Sequence, residues 1–388
     1  RPVQIALGAE MRKEDFVSRA NSEFAALVSA STGVDPSFEA KGKRNISAVY
    51  AELNVPVQKN LEVTGSVRSD HYSDFGSTTN PKLAFRFQPS STVLVRGSAS
   101  TGFRAPSLYE LYGSQSYTNT AGNFNNPINC PGGKSIPGSS SGANCDSQFQ
   151  VLNGGNTALK PEKATNLTMG FVVEPAKNLT TSVDFWQIDV TNQISSIPQS
   201  TLFGTYPQFG QYFNFAQPGN LLSITSNCPG PKCGYVDQRL QNLGAVNTSG
   251  FDFGVQYRLR SDMGQFDTSL QSTVIRKYNY QDYPGGEFKP NVGIYSGTGP
   301  VFRWQHNLTV NWTQGEYSAG LAVHHKSGYV DFDPSNVVAS YTTADVYGSF
   351  TPSKGMTLVA GIRNIANVAP PFTNQADLFQ SGGWDSRY

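Results

Sequence analysis

The segment Arg303–Gly315, RWQHNLTVNWTQG, decides how this chain is read. In an extended backbone Trp304, His306, Leu308, Val310 and Trp312 share one side, and Gln305, Asn307, Thr309, Asn311 and Thr313 share the other. An unbroken period of two predicts a strand. The polar side has no apolar member, so it is expected to be wet. The apolar side begins and ends in tryptophan, eight residues apart. At about 3.3 Å per residue and a tilt near about 40°, the two indoles stand roughly 20 Å apart along a membrane normal. That spacing suits two interfacial aromatic belts with hydrocarbon between them.

The pattern recurs along the chain. In NISAVYAELNVPV, Val49, Ala51, Leu53, Val55 and Val57 oppose Tyr50, Glu52 and Asn54. In NLEVTGSVRSD, Leu61, Val63 and Val67 oppose Glu62, Thr64, Ser66 and Arg68. YSAGLAVHH and MTLVAGIRN repeat it, and in GGNTALKPEKATNLTMGFVVEP a stiff polar turn leads into Leu167, Met169, Phe171 and Val173, expected to face lipid. Lys160 precedes Pro161 and is biased away from helix. With weaker runs near 2–12, 80–88, 92–101, 179–190, 248–260, 265–279 and 340–350, about thirteen strands are expected.

Connection lengths alternate too. Short turns fall near 58–60, 89–91, 175–178, 261–264, 314–316 and 351–355. Long loops fall at 13–43, 102–163, 191–247, 280–300 and 327–339, with a medium one at 72–79. Tight turns at one end and large loops at the other are the habit of outer-membrane barrels. The expected fold is therefore all-β, an antiparallel transmembrane β-barrel, whose strands must close because unpaired backbone in lipid costs several kcal/mol per group.

Composition agrees. Of the 388 residues, 38% are hydrophobic, below the about 45–50% of soluble domains, and Gly (38) and Pro (23) are plentiful. There is no run of about 18 apolar residues for a membrane helix. The net charge of +1 implies no nucleic-acid partner. The opening RPVQIALGAE alternates like a mid-domain strand and shows no signal peptide, so residue 1 is expected to lie inside a domain. The four cysteines form two local pairs, Cys130 with Cys145 and Cys228 with Cys233, expected to be disulfides of an oxidising compartment. A zinc site at CPGPKC is the alternative, though no histidine or second cysteine pair lies near it.

Several motifs now resemble one family, the TonB-dependent outer-membrane receptors. STGFRAPSLYELY (100–112) resembles the signature that opens a long outer loop, and GGNTALKPEKATN resembles the family's G-N-x-x-L-x-P-E-x-[ST]-x-N motif. SVDFWQIDVTNQI, QNLGAVNTSGFDFGVQY and GIRNIANVAPP are similar to later barrel patterns, in the expected order. The resemblance implies a barrel of about 22 strands around an N-terminal plug. It also implies import of a scarce nutrient at the outer membrane of a Gram-negative bacterium, driven by the TonB–ExbB–ExbD complex through the plug. The chain shows neither plug nor TonB box and stops at GGWDSRY, so residues 1–388 are expected to be a partial barrel domain, roughly strands 9 to 21.

The outer loops are the expected recognition surface. No charged residue lies between Glu110 and Lys134 or between Asp189 and Lys232, and both stretches are rich in amides, hydroxyls and rings. The ligand-contact candidates are Tyr117, Asn119, Phe124, Asn126, Tyr206, Phe209, Tyr212 and Phe213, against the plainer reading that such residues merely pack their loops. Neutral polar groups with aromatic faces suit a sugar or a neutral chelate, so the expected cargo is a ferric siderophore or an oligosaccharide. Arg104 and Pro106 in GFRAP, and Pro161 and Glu162 in LKPE, are expected to be architectural. His324 and His325 are adjacent in a strand and cannot share a metal. DFDPSN (331–336) has oxygens at calcium-like spacing but lacks the later Glu. GSSSG (138–142) lacks the strand–turn–helix of a nucleophile elbow. Thus no metal, cofactor or enzymatic activity is expected. The rival reading is a soluble secreted all-β glycan-binding protein or glycosidase, which would bury the Trp304 face and need no detergent; a passive porin-type barrel fits the large loops less well.

Overall fold

The computed structural model describes residues 2–19, 21, 39–216, 234–296 and 299–374. Thirteen long strands form the wall: β1 (Gln4–Arg19), β2 (Glu39–Gln58), β3 (Leu61–Tyr72), β4 (Gly76–Ser90), β5 (Val93–Arg104), β8 (Glu162–Ala176), β9 (Leu179–Ser195), β12 (Gln241–Ser261), β13 (Gly264–Gln281), β15 (Trp304–Gln314), β16 (Tyr317–Lys326), β19 (Tyr341–Ser353) and β20 (Met356–Ile362). They pair antiparallel in that order, and the short β14 (Lys289–Pro290) adds to β13. Within the wall each strand follows its sequence predecessor, so every neighbour is reached by a hairpin or an outer loop. The remaining strands lie in the outer loops: β6 (Ser116–Asn119), β7 (Gln150–Asn153), β10 (Phe213–Asn214) and β11 (Tyr235–Asp237) in one small sheet, and β17 (Tyr329–Val330) with β18 (Val337–Val338) in another. Among the described residues no helix is long and apolar enough to cross a membrane.

Register carries the alternation across the whole wall. Val55, Val63, Phe85, Gly97, Met169, Phe185, Phe251, Val274 and Trp304 are successive cross-strand partners. One face thus carries a continuous apolar row across the wall, with Leu167, Met169 and Phe171 exposed on that face. Such a surface on a soluble protein would be covered; on a barrel it meets lipid. The opposite face carries the row Arg96, Gly170, Asp184, Asp252, Thr273, Gln305 and Lys326. Arg96 and Asp184 form a two-pronged ion pair (2.8 and 2.9 Å) that reaches across β8. Gly170 lies beneath the pair, and a Cβ there would strike the Asp184 carboxylate.

The six expected tight turns occur where the sequence placed them. Two loops are shorter than expected. In the segment 13–43, residues 13–19 and 39–43 are strand, because β1 and β2 stay in register up to Arg19 opposite Glu39. Here both strand faces carry charge, so no apolar alternation marks them, yet Glu14 and Arg44 pair across the hairpin. The segment 72–79 shrinks to the three residues Ser73–Phe75.

The two faces should respond oppositely to charge. The row Val255, Leu270, Leu308 and Val323 lies midway between Trp304 and Trp312. Leu308→Arg is expected to destabilise the folded protein in lipid by about 2–4 kcal/mol, and Thr309→Arg on the polar face by little. Unfolding titrations in lipid check this; equal penalties would sink the assignment of faces.

Candidate functional site

The loops that follow β5 and β9 build one unit on the outer end of the wall. Its base is Arg104, the last residue of β5. The guanidinium binds Glu162 at the start of β8 in bidentate fashion (2.7 and 2.8 Å) and also Glu110 (2.9 and 3.0 Å). Glu162 additionally accepts the Ile194 amide at 2.8 Å, so one carboxylate joins β5, β8 and β9. Glu110 belongs to a one-turn helix, Leu108–Tyr112, and closes its capping box: it accepts the Ser107 amide while Ser107 Oγ accepts the Glu110 amide. Burial alone would raise the Glu110 carboxyl; Arg104 and the Ser107 amide more than offset it and hold the group below its ordinary value. The helix packs Leu108 and Leu111 with Leu159 and Ile194.

The stiff turn after β7 ties three segments together. Gly154 has φ +123°, and a Cβ on Gly155 would come within 2.7 Å of the Gly113 nitrogen, so both positions demand glycine. The Asn156 amide donates to Glu110 O, and its side chain donates to Leu240 O (2.9 Å). Lys160 and Asn242 exchange two bonds of 2.7 Å. A second anchor, missed in the sequence, is Arg44. It is buried against Glu14 (2.6 Å), the Pro106 carbonyl (2.6 Å), Asp74 (3.5 Å) and the ring of Tyr72. Because the strand ends there are polar on both faces, no pattern singled it out.

Above this base the sheet β10–β11–β7–β6 packs one face onto Phe149, Val151, Ile197, Leu202, Phe209, Phe213, Val236 and Leu243. The candidates therefore divide. Phe209, Phe213 and Asn126 are buried and build the unit. Phe124 stacks on Phe203, and Tyr206 meets Phe213 edge-on. Tyr212 donates to Gln241 at 3.0 Å. Asn126 bonds Asn144 inside a lobe closed by the Cys130–Cys145 disulfide; the lobe contains GSSSG. Cys228 and Cys233, with the zinc alternative there, lie outside the described residues.

Tyr117 and Asn119 lie on the opposite face of the small sheet. Strand alternation places them with Tyr235 and Asp237 and away from the aromatic core. Tyr117 and Tyr235 meet edge-on with centroids 5.3 Å apart, and burial and then Tyr235 push the Tyr117 phenol up. Beside them Arg239 is bonded to Asp237 (2.7 and 2.9 Å), which neutralises it and raises its basicity. This face offers two phenols, an amide and a compensated ion pair. The short alternation GYVDQRL could have revealed Tyr235 and Arg239, but it follows a cysteine-rich loop and reads as part of it.

The metal-like motifs resolve into structure. The Asp331 carboxylate accepts from the Phe332 amide, Thr373 Oγ1, Asn336 Nδ2 and the Asn374 amide at 2.6–2.9 Å. DFDPSN is therefore a pin that holds the loop to segment 373–374. His324 bonds Asn307 on the polar face, and His325 bonds Thr342 on the apolar face.

A family model, TonB dependent receptor-like, beta-barrel, matches residues 6–365. The chain belongs to this TonB-dependent receptor β-barrel family. No curated protein sequence matches it. Among solved structures it is similar to a variant of the ferric enterobactin receptor PfeA of Pseudomonas aeruginosa in complex with enterobactin, at 18% identity and TM-score 0.61 over 94% of this chain and 46% of that one. The siderophore receptor PirA of Acinetobacter baumannii gives 16% identity and TM-score 0.62 over 94% and 48%. The FrpB iron transporter of Neisseria meningitidis gives 12% and 0.56 over 95% and 50%. The chain thus spans about half the length of these structures, and at such identities the likeness shows the fold.

Two outcomes follow from the anchors. Glu162→Ala leaves the Ile194 amide and Arg104 short of a partner, an expected loss of about 1.5–3 kcal/mol, whereas Glu162→Gln retains an acceptor for Ile194 and loses less. Limited proteolysis of segment 105–161 reads this; equal protection of both variants and the parent argues against the anchor. The second concerns pH. Burial raises the Asp331 carboxyl, but the bond from the Asn374 amide and those from Asn336, Thr373 and Phe332 outweigh it and leave the group below its ordinary value. Its stabilising contribution is therefore complete above the unfolded value of about 3.9 and lost as pH falls through the lower folded value. Hydrogen exchange of 329–338 should accelerate only in that acid window, and Asp331→Asn should remove the acid step; a transition near neutrality would contradict the pin.

Proposed function

We propose that this chain forms part of the wall and outer loops of an energy-coupled import receptor in the outer membrane of a Gram-negative bacterium. The ligand docks on the Tyr117, Asn119, Tyr235 and Arg239 face of the loop sheet. The observation that carries the reading is the division of the loop residues: one face of the small sheet is filled by its own aromatic core, and the other keeps phenols and an amide turned away from it. A ferric siderophore is the proposed cargo. The family supports a receptor role, and the structurally similar PfeA, PirA and FrpB are a ferric enterobactin receptor, a siderophore receptor and an iron transporter. Oligosaccharide import is the second reading, favoured by the uncharged stretches 111–133 and 190–231.

On this proposal the protein has no catalytic residues. Passage through the barrel requires the plug, a part that the sequence motifs call for only by resemblance, and energy supplied by TonB–ExbB–ExbD. The polar face of the wall, with Arg96, Asp184, Asp252 and their neighbours, lines the path.

Uptake of radiolabelled iron by cells expressing the full-length receptor tests this. Ferric-siderophore uptake that requires TonB and falls with Tyr117→Ala and Arg239→Ala, while the protein remains in the outer membrane, is the expected result. Uptake of labelled oligosaccharide instead would select the second reading. Uptake of either kind independent of TonB would overturn energy coupling.

A further inference from the structure

His306 and His325 face each other across β15 and β16 as direct register partners. Their ring centroids are 5.5 Å apart and their planes differ by 19°. Each Nδ1 is held by a hydroxyl on the strand beyond: His306 by Ser272 Oγ on β13 and His325 by Thr342 Oγ1 on β19, both at 2.8 Å. These two bonds pull in opposite directions along the sheet. Each Nδ1 bond lies in its ring plane, so anchoring those edges outward turns the edges that carry Nε2 toward the common gap. Among the described residues neither Nε2 has a hydrogen-bond partner, and neither histidine forms an ion pair.

We infer that His306 and His325 form a bidentate binding site for a late first-row divalent metal ion on the outward face of the wall. A hydroxyl can accept the Nδ1 proton, which leaves a lone pair on Nε2, and hydrogen bonding of the second nitrogen is how protein ligands of this type are usually oriented. Two nitrogens at about 2.0–2.1 Å from one ion need only a few ångströms between them, a span that facing edges of these rings can supply. Imidazole selects copper, nickel or zinc, with copper held most strongly. Magnesium and calcium prefer oxygen and are not expected to bind. The pair lies one row inside Trp304, whose ring is 5.8 Å from that of His306, so the ion would sit at the outer aromatic belt. No third His, Cys, Asp or Glu completes a cluster among the described residues, and its other positions stay open to water or to an oxygen ligand from outside the chain. Sequence spacing hides this site, because partners 19 residues apart meet only through the register of the hairpin.

The other two of the chain's four histidines, His71 and His324, serve as internal controls. The full-length protein in detergent is titrated with Cu2+, and the bound ion is examined by electron paramagnetic resonance. One ion per chain with a two-nitrogen signature is expected, unchanged in the His71→Ala/His324→Ala background. His306→Ala or His325→Ala alone should abolish the two-nitrogen signature. Ser272→Ala, a change of a positioning residue, should weaken affinity by about ten-fold or more while the signature survives. Retention of detergent-resistant folding by each variant is checked in parallel. No copper binding by the parent, a signature that survives both single histidine changes, or one lost in the His71→Ala/His324→Ala background would each overturn the site.

Discussion

Backbone amides inside hydrocarbon have no water to bond, so each must find a partner on a neighbouring strand. The rest of this structure follows from that constraint. It requires long antiparallel strands in continuous register, and hairpins supply neighbours most directly. It also explains why the chain inserts its long loops without disturbing the wall: β5 passes to β8 and β9 to β12, with the intervening strands set aside in a sheet of their own. Loop backbone thus meets the same demand locally, through β6, β7, β10 and β11, and its apolar side chains close a separate core.

Where loops meet wall, charge does the joining. Arg104 gathers Glu162 and Glu110, and Arg44 gathers Glu14, Asp74 and a carbonyl. Exposed pairs of this kind contribute little to stability, but these are arranged as junctions: each guanidinium touches segments distant in sequence, and its planar fork fixes their orientation. Arg44 differs from Arg104 in being buried, so removal of its carboxylates would leave a desolvated cation, a far larger penalty than loss of an exposed pair.

The wall was legible in the sequence because lipid on one side and water on the other impose a period of two. Thirteen strands and the six tight turns were readable on that ground. Readability ended where the two environments become alike. Around Arg12–Asp15 and Lys41–Arg44 both faces carry charged residues, and the strands there looked like loop. The loops posed the opposite difficulty. Composition identified them as aromatic and neutral, but could not tell Phe213, buried beside Val236, from Tyr117, on the other side of the same small sheet. That distinction depends on pairings between residues distant in sequence, such as Val151 with Val236, 85 positions apart, and no local pattern encodes those. Asp331 shows the same limit: its spacing resembled a metal loop, and only the return of Thr373 and Asn374 reveals what the carboxylate holds.

The charge pattern constrains how a ligand could be held on the proposed reading. The arginines nearest the loop unit already have carboxylate partners: Arg104 has two, Arg44 has two and Arg239 has one. A strongly anionic chelate would have to compete with Asp237 for Arg239 and would meet the surplus carboxylates around Arg104 and Arg44. A ligand of low charge would meet no such opposition and could stack on Tyr117 and Tyr235 and bond to Asn119. Affinity would then come from ring faces and neutral hydrogen bonds, which salt screens little, and discrimination from the spacing of the two phenols. The same side-chain chemistry that left the stretches 111–133 and 190–231 free of charge thus favours a neutral occupant.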